Sequence, residues 1–135
     1  MKRFLIKGII GGVVLLLFSY LAIYLVVALA PSLAEQYYDP VFSFEGEKGM
    51  LYFAHPFILS FALAWFWRRF KGLFHGSFWW RGFEVGVVYG LIATVPAMWI
   101  TYCSLAISLG MVVTWVLYGF FQAIVLGILY AKISP

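Results

Sequence analysis

VGVVYGLIATVPAMWITYCSLAISLGMVVTWVLYGFFQAIVLGILYA, from Val85 to Ala131, is a run of 47 residues with no charged side chain. As a single helix it would be roughly 70 Å long at 1.5 Å per residue, more than twice the thickness of a bilayer's hydrocarbon core. It must therefore cross twice. The small polar group Thr101-Tyr102-Cys103-Ser104 is the weakest point in the run and predicts a tight turn there. This divides the run into a third helix of about Gly82 to Ile100 and a fourth of about Leu105 to Ala131.

Working outward, two more charge-free segments precede the run. Gly8 to Ala30 follows Lys2, Arg3 and Lys7, and Met50 to Trp67 runs up to Arg68, Arg69 and Lys71. The first is longer than the apolar core of a signal peptide, and Pro31 stands just after the cleavage-like Ala28-Leu29-Ala30, so a retained anchor helix is expected. The second is short for a span, with Tyr52, His55 and Pro56 near its first end and Trp65 and Trp67 as interfacial markers at the other. Proline is tolerated in a first turn, where its missing N–H would have had no partner. The chain has 135 residues, 65% hydrophobic and 10% charged, with a mean hydropathy of +1.01. That composition is far from that of a soluble domain. The fold class expected is all-α: a single transmembrane domain over residues 1–135 with four membrane helices, the last two forming a tight antiparallel hairpin.

The basic residues predict the orientation. Lys2, Arg3 and Lys7 lie at the start, Arg68, Arg69, Lys71 and Arg81 in the central connection, and Lys132 near the end, while Lys48 stands alone on the opposite side. Four spans with both termini cytoplasmic gather eight cations on one side, as the positive-inside rule requires. An imbalance of this kind argues against a dual-topology protein. Residues 31–49 then form an extracytoplasmic loop carrying Glu35, Asp39, Glu45 and Glu47, and residues 68–81 a basic cytoplasmic connection lying on the membrane surface. The aromatic residues of the outer loop suggest that it folds back, with a short strand conceivable around Phe42, Ser43 and Phe44. Size and charge pattern fit a multi-pass protein of a bacterial cytoplasmic (inner) membrane.

Small residues mark helix contacts. Gly82, Gly86, Gly90 and Thr94 recur at intervals of four in the third span, as do Gly119, Ala123, Gly127 and Ala131 in the fourth. Residues so spaced share a face on which two backbones can approach closely. Gly8 and Gly12, with Ser19, offer a similar face on the first span. Pro96 removes a backbone bond to Ile92 and predicts a helix kink.

Few residues are candidates for chemistry. Glu84 is the sole acid in or near a predicted hydrocarbon region, three positions after Arg81. The pair is read as an interfacial salt bridge or as a contact with another subunit, a lipid headgroup or a cation. His55 and Tyr52 form a second polar pair at the outer end of the second span, and Trp115, Tyr118 and Gln122 share one face of the fourth. That face would bond across the bundle or, with Pro96, line a small amphipathic pocket. With one cysteine, and with His55 and His75 on opposite sides of the membrane, no cofactor or metal site is expected, and no catalytic motif is present. The basic residues sit beside aromatics at segment ends, which points to membrane phospholipids as partners and not to nucleic acid. The leading expectation is a non-catalytic structural or accessory subunit that packs with itself as a homo-oligomer or with another integral subunit. The alternatives are a carrier of a lipid, quinone or small amphiphile, and a lipid-modifying enzyme using His55 and the acidic loop.

Overall fold

The computed structural model describes residues 2–42 and 46–135. It is 86% helix without a strand among the described residues. Six α-helices follow one another among these residues: α1 (Lys2–Leu29), α2 (Pro31–Gln36), α3 (Glu47–Phe70), α4 (Phe78–Tyr89), α5 (Val95–Ser104) and α6 (Leu109–Ile133). A 3₁₀ turn, Lys71–Leu73, follows α3, and a π-helical turn, Gly90–Thr94, joins α4 to α5. Four helical stretches, Lys2–Leu29, Glu47–Leu73, Phe78–Ser104 and Leu109–Ile133, are long and apolar enough to cross a membrane, as in a multi-pass membrane protein. The chain forms two compact units, Met1–Ala62 and Leu63–Pro135.

In the first unit, α1 packs on the opening part of α3 through aromatic side chains seated on glycines. A Cβ on Gly8 would strike the ring of Phe61, and one on Gly12 the ring of Phe57. Phe4 also meets Phe61, and Tyr20 stacks on Phe53 with centroids 5.7 Å apart. Ser60, fully buried, donates its hydroxyl to the Gly8 carbonyl at 2.7 Å. That bond is available because glycine leaves its own backbone uncovered. Ser19 donates to Leu15 within its own helix. After α1, Pro31 opens α2 at a position where its missing donor costs nothing. Asp39 then accepts from the Val41 N–H at 2.9 Å, an Asx turn that lets Tyr37 reach the Phe42 ring. The strand considered around Phe42 rests on Ser43 and Phe44, which lie outside the described residues.

The second span is longer than its charge-free core. Helix α3 begins at Glu47, directly after Gly46 at φ +61°, and runs through Arg68 and Arg69 to Phe70. Its arginines can snorkel from the last turn, so they do not end the helix. As a result Pro56 lies in the helix interior and not in its first turn.

In the second unit, α4 and α6 approach at backbone distance. A Cβ placed on Gly82 would lie 2.5 Å from the Ile128 nitrogen and 2.8 Å from its Cα. One on Gly127 would lie 2.8 Å from the Gly82 carbonyl oxygen. Further along, Gly86 opposes Ile124 with backbone atoms at 3.1 and 3.2 Å, Gly90 opposes the Phe120 ring, and Gly119 opposes the Thr94 side chain. The two backbones thus come closest where α4 begins, and side chains of α6 fill the space against Gly86 and Gly90.

Two expectations for the third span change. Its break falls later than Thr101–Ser104: α5 continues through Ser104, and residues 105–108 form the link, with Ser108 capping α6 by accepting from the Met111 N–H. Thr101 does not interrupt the helix because its hydroxyl bonds back to the Ala97 carbonyl at 2.8 Å. Ahead of Pro96 the helix widens into a π turn, in which the Val95 N–H bonds to Gly90, five residues back. A π turn reassigns carbonyls just where proline cannot donate and adds one residue to the turn. The fourfold ladder therefore loses its phase after Thr94, and α5 buries none of its residues.

Candidate functional site

The richest polar constellation lies in the second unit, where the end of α3, the start of α4 and the chain beyond α6 meet. Sequence position marks both Trp65 and Trp67 as interfacial, but the two diverge. Trp65 is 59% exposed, whereas Trp67 is 2% exposed. Adjacent even-spaced positions on a helix cannot share one face, so only one of the two indoles can turn outward. The inward one becomes a hub. The Trp67 Nε1–H donates to the Ser134 carbonyl at 3.0 Å, its ring stacks on Phe74 at 6.0 Å and 8°, and the Arg81 guanidinium carbon lies 4.8 Å from the ring centroid. Alongside, Lys71 Nζ donates to the Pro135 oxygen at 2.6 Å.

Local geometry explains why the chain returns to this point. The 3₁₀ turn after α3 gives way to extended backbone at Phe74, and Gly76 takes φ +99°, a conformation that favours glycine. Ser77 then caps α4, its hydroxyl accepting from the Trp80 N–H at 3.3 Å. Arg81 is thereby placed one turn into α4 and against Trp67.

This placement changes the reading of Arg81 and Glu84 as a salt bridge. Among the described residues no ion pair joins them; the guanidinium is drawn over the Trp67 ring instead, a favourable cation–π arrangement. Arg81 Nε and Glu84 Oε2 are both buried without a hydrogen-bond partner. An unsatisfied buried carboxylate oxygen costs more than an unsatisfied amide. Glu84→Gln is therefore expected to raise stability by about 1 kcal/mol, read as a higher unfolding temperature in detergent or nanodiscs. A lower one would mean that the carboxylate has a stabilising partner.

The other candidates are dispersed. Tyr52 and His55 lie on the exposed part of α3, where Tyr52 meets Phe53 edge-on at 5.5 Å. Gln122 is 3% exposed, Trp115 and Tyr118 are half-buried, and Tyr118 stacks on Phe121. Pro96 is exposed. An open apolar depression on α1 is lined by Val14, Leu17, Phe18 and Leu21, none of them a candidate. Among the described residues no three histidine, cysteine or acidic side chains cluster as metal ligands would. The hub at Trp67 escaped sequence reasoning, since an aromatic beside arginines carries the same signature whether it faces lipid or the interior.

No protein-family model, no curated protein and no solved structure matches this chain. The chemistry of the residues is what remains. Charged and aromatic groups held together at one end of a helix pair have the chemistry to hold a lipid headgroup or a protein partner.

Proposed function

We propose that this chain is a non-catalytic integral membrane subunit, structural or accessory, that works through helix packing. The observation that carries the reading is the backbone-level contact of Gly82 with Ile128 and of Gly127 with Gly82. It supports a tight antiparallel hairpin of the last two spans. Four hydroxyls within the spans support it too: those of Ser60, Ser19, Thr101 and Thr114 donate to backbone carbonyls. With those faces occupied inside the chain, a second copy or another integral subunit would meet exposed apolar faces, of which α1 offers one. There Ile6, Ile9, Val13, Leu17 and Tyr24 are exposed.

A photo-crosslinking residue at Leu17 in native membranes, combined with native mass spectrometry in nanodiscs, tests this. A discrete protein adduct and a defined oligomer or complex are expected. Lipid adducts alone, with a monomer in the nanodisc, would overturn the reading.

In the orientation proposed, both termini are cytoplasmic in a bacterial inner membrane. Cys103, exposed and one residue from the end of α5, then reports the outer face. A membrane-impermeant maleimide is expected to label it in intact spheroplasts. In a Cys103→Ser background, Ser134→Cys should become reactive only after permeabilisation. The reverse pattern would invert the topology.

A further inference from the structure

The basic residues of the second unit do more than set orientation. Arg68 and Arg69 are exposed at the last turn of α3, and Lys132 is exposed in the last turn of α6, two residues before the Ser134 carbonyl that Trp67 holds. Lys71 and Arg81 join the same assembly through Pro135 and the Trp67 ring. The unit's five cations are answered by a single acid, Glu84. Between Lys71 and Arg81 in the chain, Leu73, Trp79 and Trp80 are 73%, 62% and 56% exposed. Indole rings favour the headgroup level of a bilayer, so these side chains set the depth at which the cations lie.

Three separate stretches of chain are thus fixed to one buried indole, with arginine guanidinium groups left outward. We infer that this end of the second unit is a built binding surface for the phosphodiester headgroup of an anionic phospholipid. Arg68 and Arg69 contact the phosphate, and Trp67 acts as the positioning residue. Guanidinium forks match phosphate oxygens, and cations held in place lose less freedom on binding than cations on a mobile loop. The flanking exposed apolar rings commit the surface to a lipid and not to a free anion, because a soluble phosphate would use none of them.

Relative association of spin-labelled phosphatidylglycerol and phosphatidylcholine with the full chain, reconstituted in phosphatidylcholine bilayers, tests the inference. The unsubstituted chain is expected to prefer phosphatidylglycerol by about fivefold or more, with a preference that weakens as salt rises. Arg68→Gln/Arg69→Gln, on exposed positions, should bring the ratio close to one. Trp67→Phe, which keeps every charge, should also lower it, whereas Lys2→Gln/Arg3→Gln in the first unit should leave most of it. Equal losses from the two double variants, or no change in Trp67→Phe, would overturn the inference in favour of diffuse surface charge. So would a ratio of one in the unsubstituted chain. Inorganic phosphate displacing the lipid better than chloride at matched ionic strength would instead show a free-anion site.

Discussion

Gly82→Ala is expected to destabilise the protein by about 2 kcal/mol, the net of an overpacking cost near 3 kcal/mol and a helix-propensity gain near 1 kcal/mol. The added methyl would meet the Ile128 nitrogen at 2.5 Å and Cα at 2.8 Å. Neither atom belongs to a side chain that could rotate away, so α4 and α6 would have to separate. Reciprocally, Gly127→Ala would press on the Gly82 oxygen at 2.8 Å and Cα at 2.9 Å, and a similar loss is expected. The contrast lies in the other glycines. Gly86→Ala meets backbone atoms of Ile124 no closer than 3.1 Å, and its cost should be smaller. Gly8→Ala and Gly12→Ala meet phenylalanine rings, which can give. Gly72 has nothing within 4 Å, so Gly72→Ala should be neutral or stabilising by up to about 1 kcal/mol through the unfolded chain. Unfolding in a lipid-like environment, monitored by circular dichroism, checks the order. Equal stability of Gly82→Ala and Gly72→Ala would show that the backbone contact is not made.

The four spans were legible because charge-free length is a one-dimensional property and a bilayer has a fixed thickness. Finer features depend on where side chains find partners. Thr101 and Ser104 look like turn residues, yet a hydroxyl that bonds to the carbonyl four residues back satisfies itself inside a helix, as Thr101 does with Ala97. Ser108, one link further on, has the same chemistry and is the actual cap, because its backbone is extended there. The π turn at Gly90–Thr94 is a response to Pro96 that the missing donor announces only as a disturbance, without saying how the helix absorbs it. For the candidate site, Arg81 and Glu84 were visible as charges three apart, a spacing that suggests a pair. What redirects Arg81 is Trp67, fourteen positions earlier and on another helix. No local pattern contains that contact, and without it the orphaned Glu84 oxygen could not be foreseen either. The spacing of small residues names positions in the same way, but what stands opposite each one depends on the register of two helices.

Trp67→Ala should cost about 4 kcal/mol, as large an effect as any single side chain here can produce. The truncation removes a ring that is 2% exposed, stacks on Phe74 and lies under the Arg81 guanidinium. It also removes the donor to Ser134, leaving a carbonyl beyond the end of α6 without that bond. The consequences should be unevenly distributed. The contact of Gly82 with Ile128 depends on small residues and not on the indole, so the helical content of the spans should persist. Ser134 is held through Trp67, and its own N–H, bonded to the Tyr130 carbonyl at 2.9 Å, should lose protection from hydrogen exchange in Trp67→Ala. Trp67→Phe retains an aromatic ring for the Phe74 stack but cannot donate, and about 1 to 1.5 kcal/mol is expected from the lost bond. Combining Trp67→Leu, which has no ring, with Arg81→Gln isolates the contact between the indole face and the guanidinium. If the ring stabilises Arg81 by a cation–π contact, the double variant will lose less than the sum of the single ones. Strict additivity would mean that the guanidinium merely lies nearby, and that the pull on Arg81 away from Glu84 has another source.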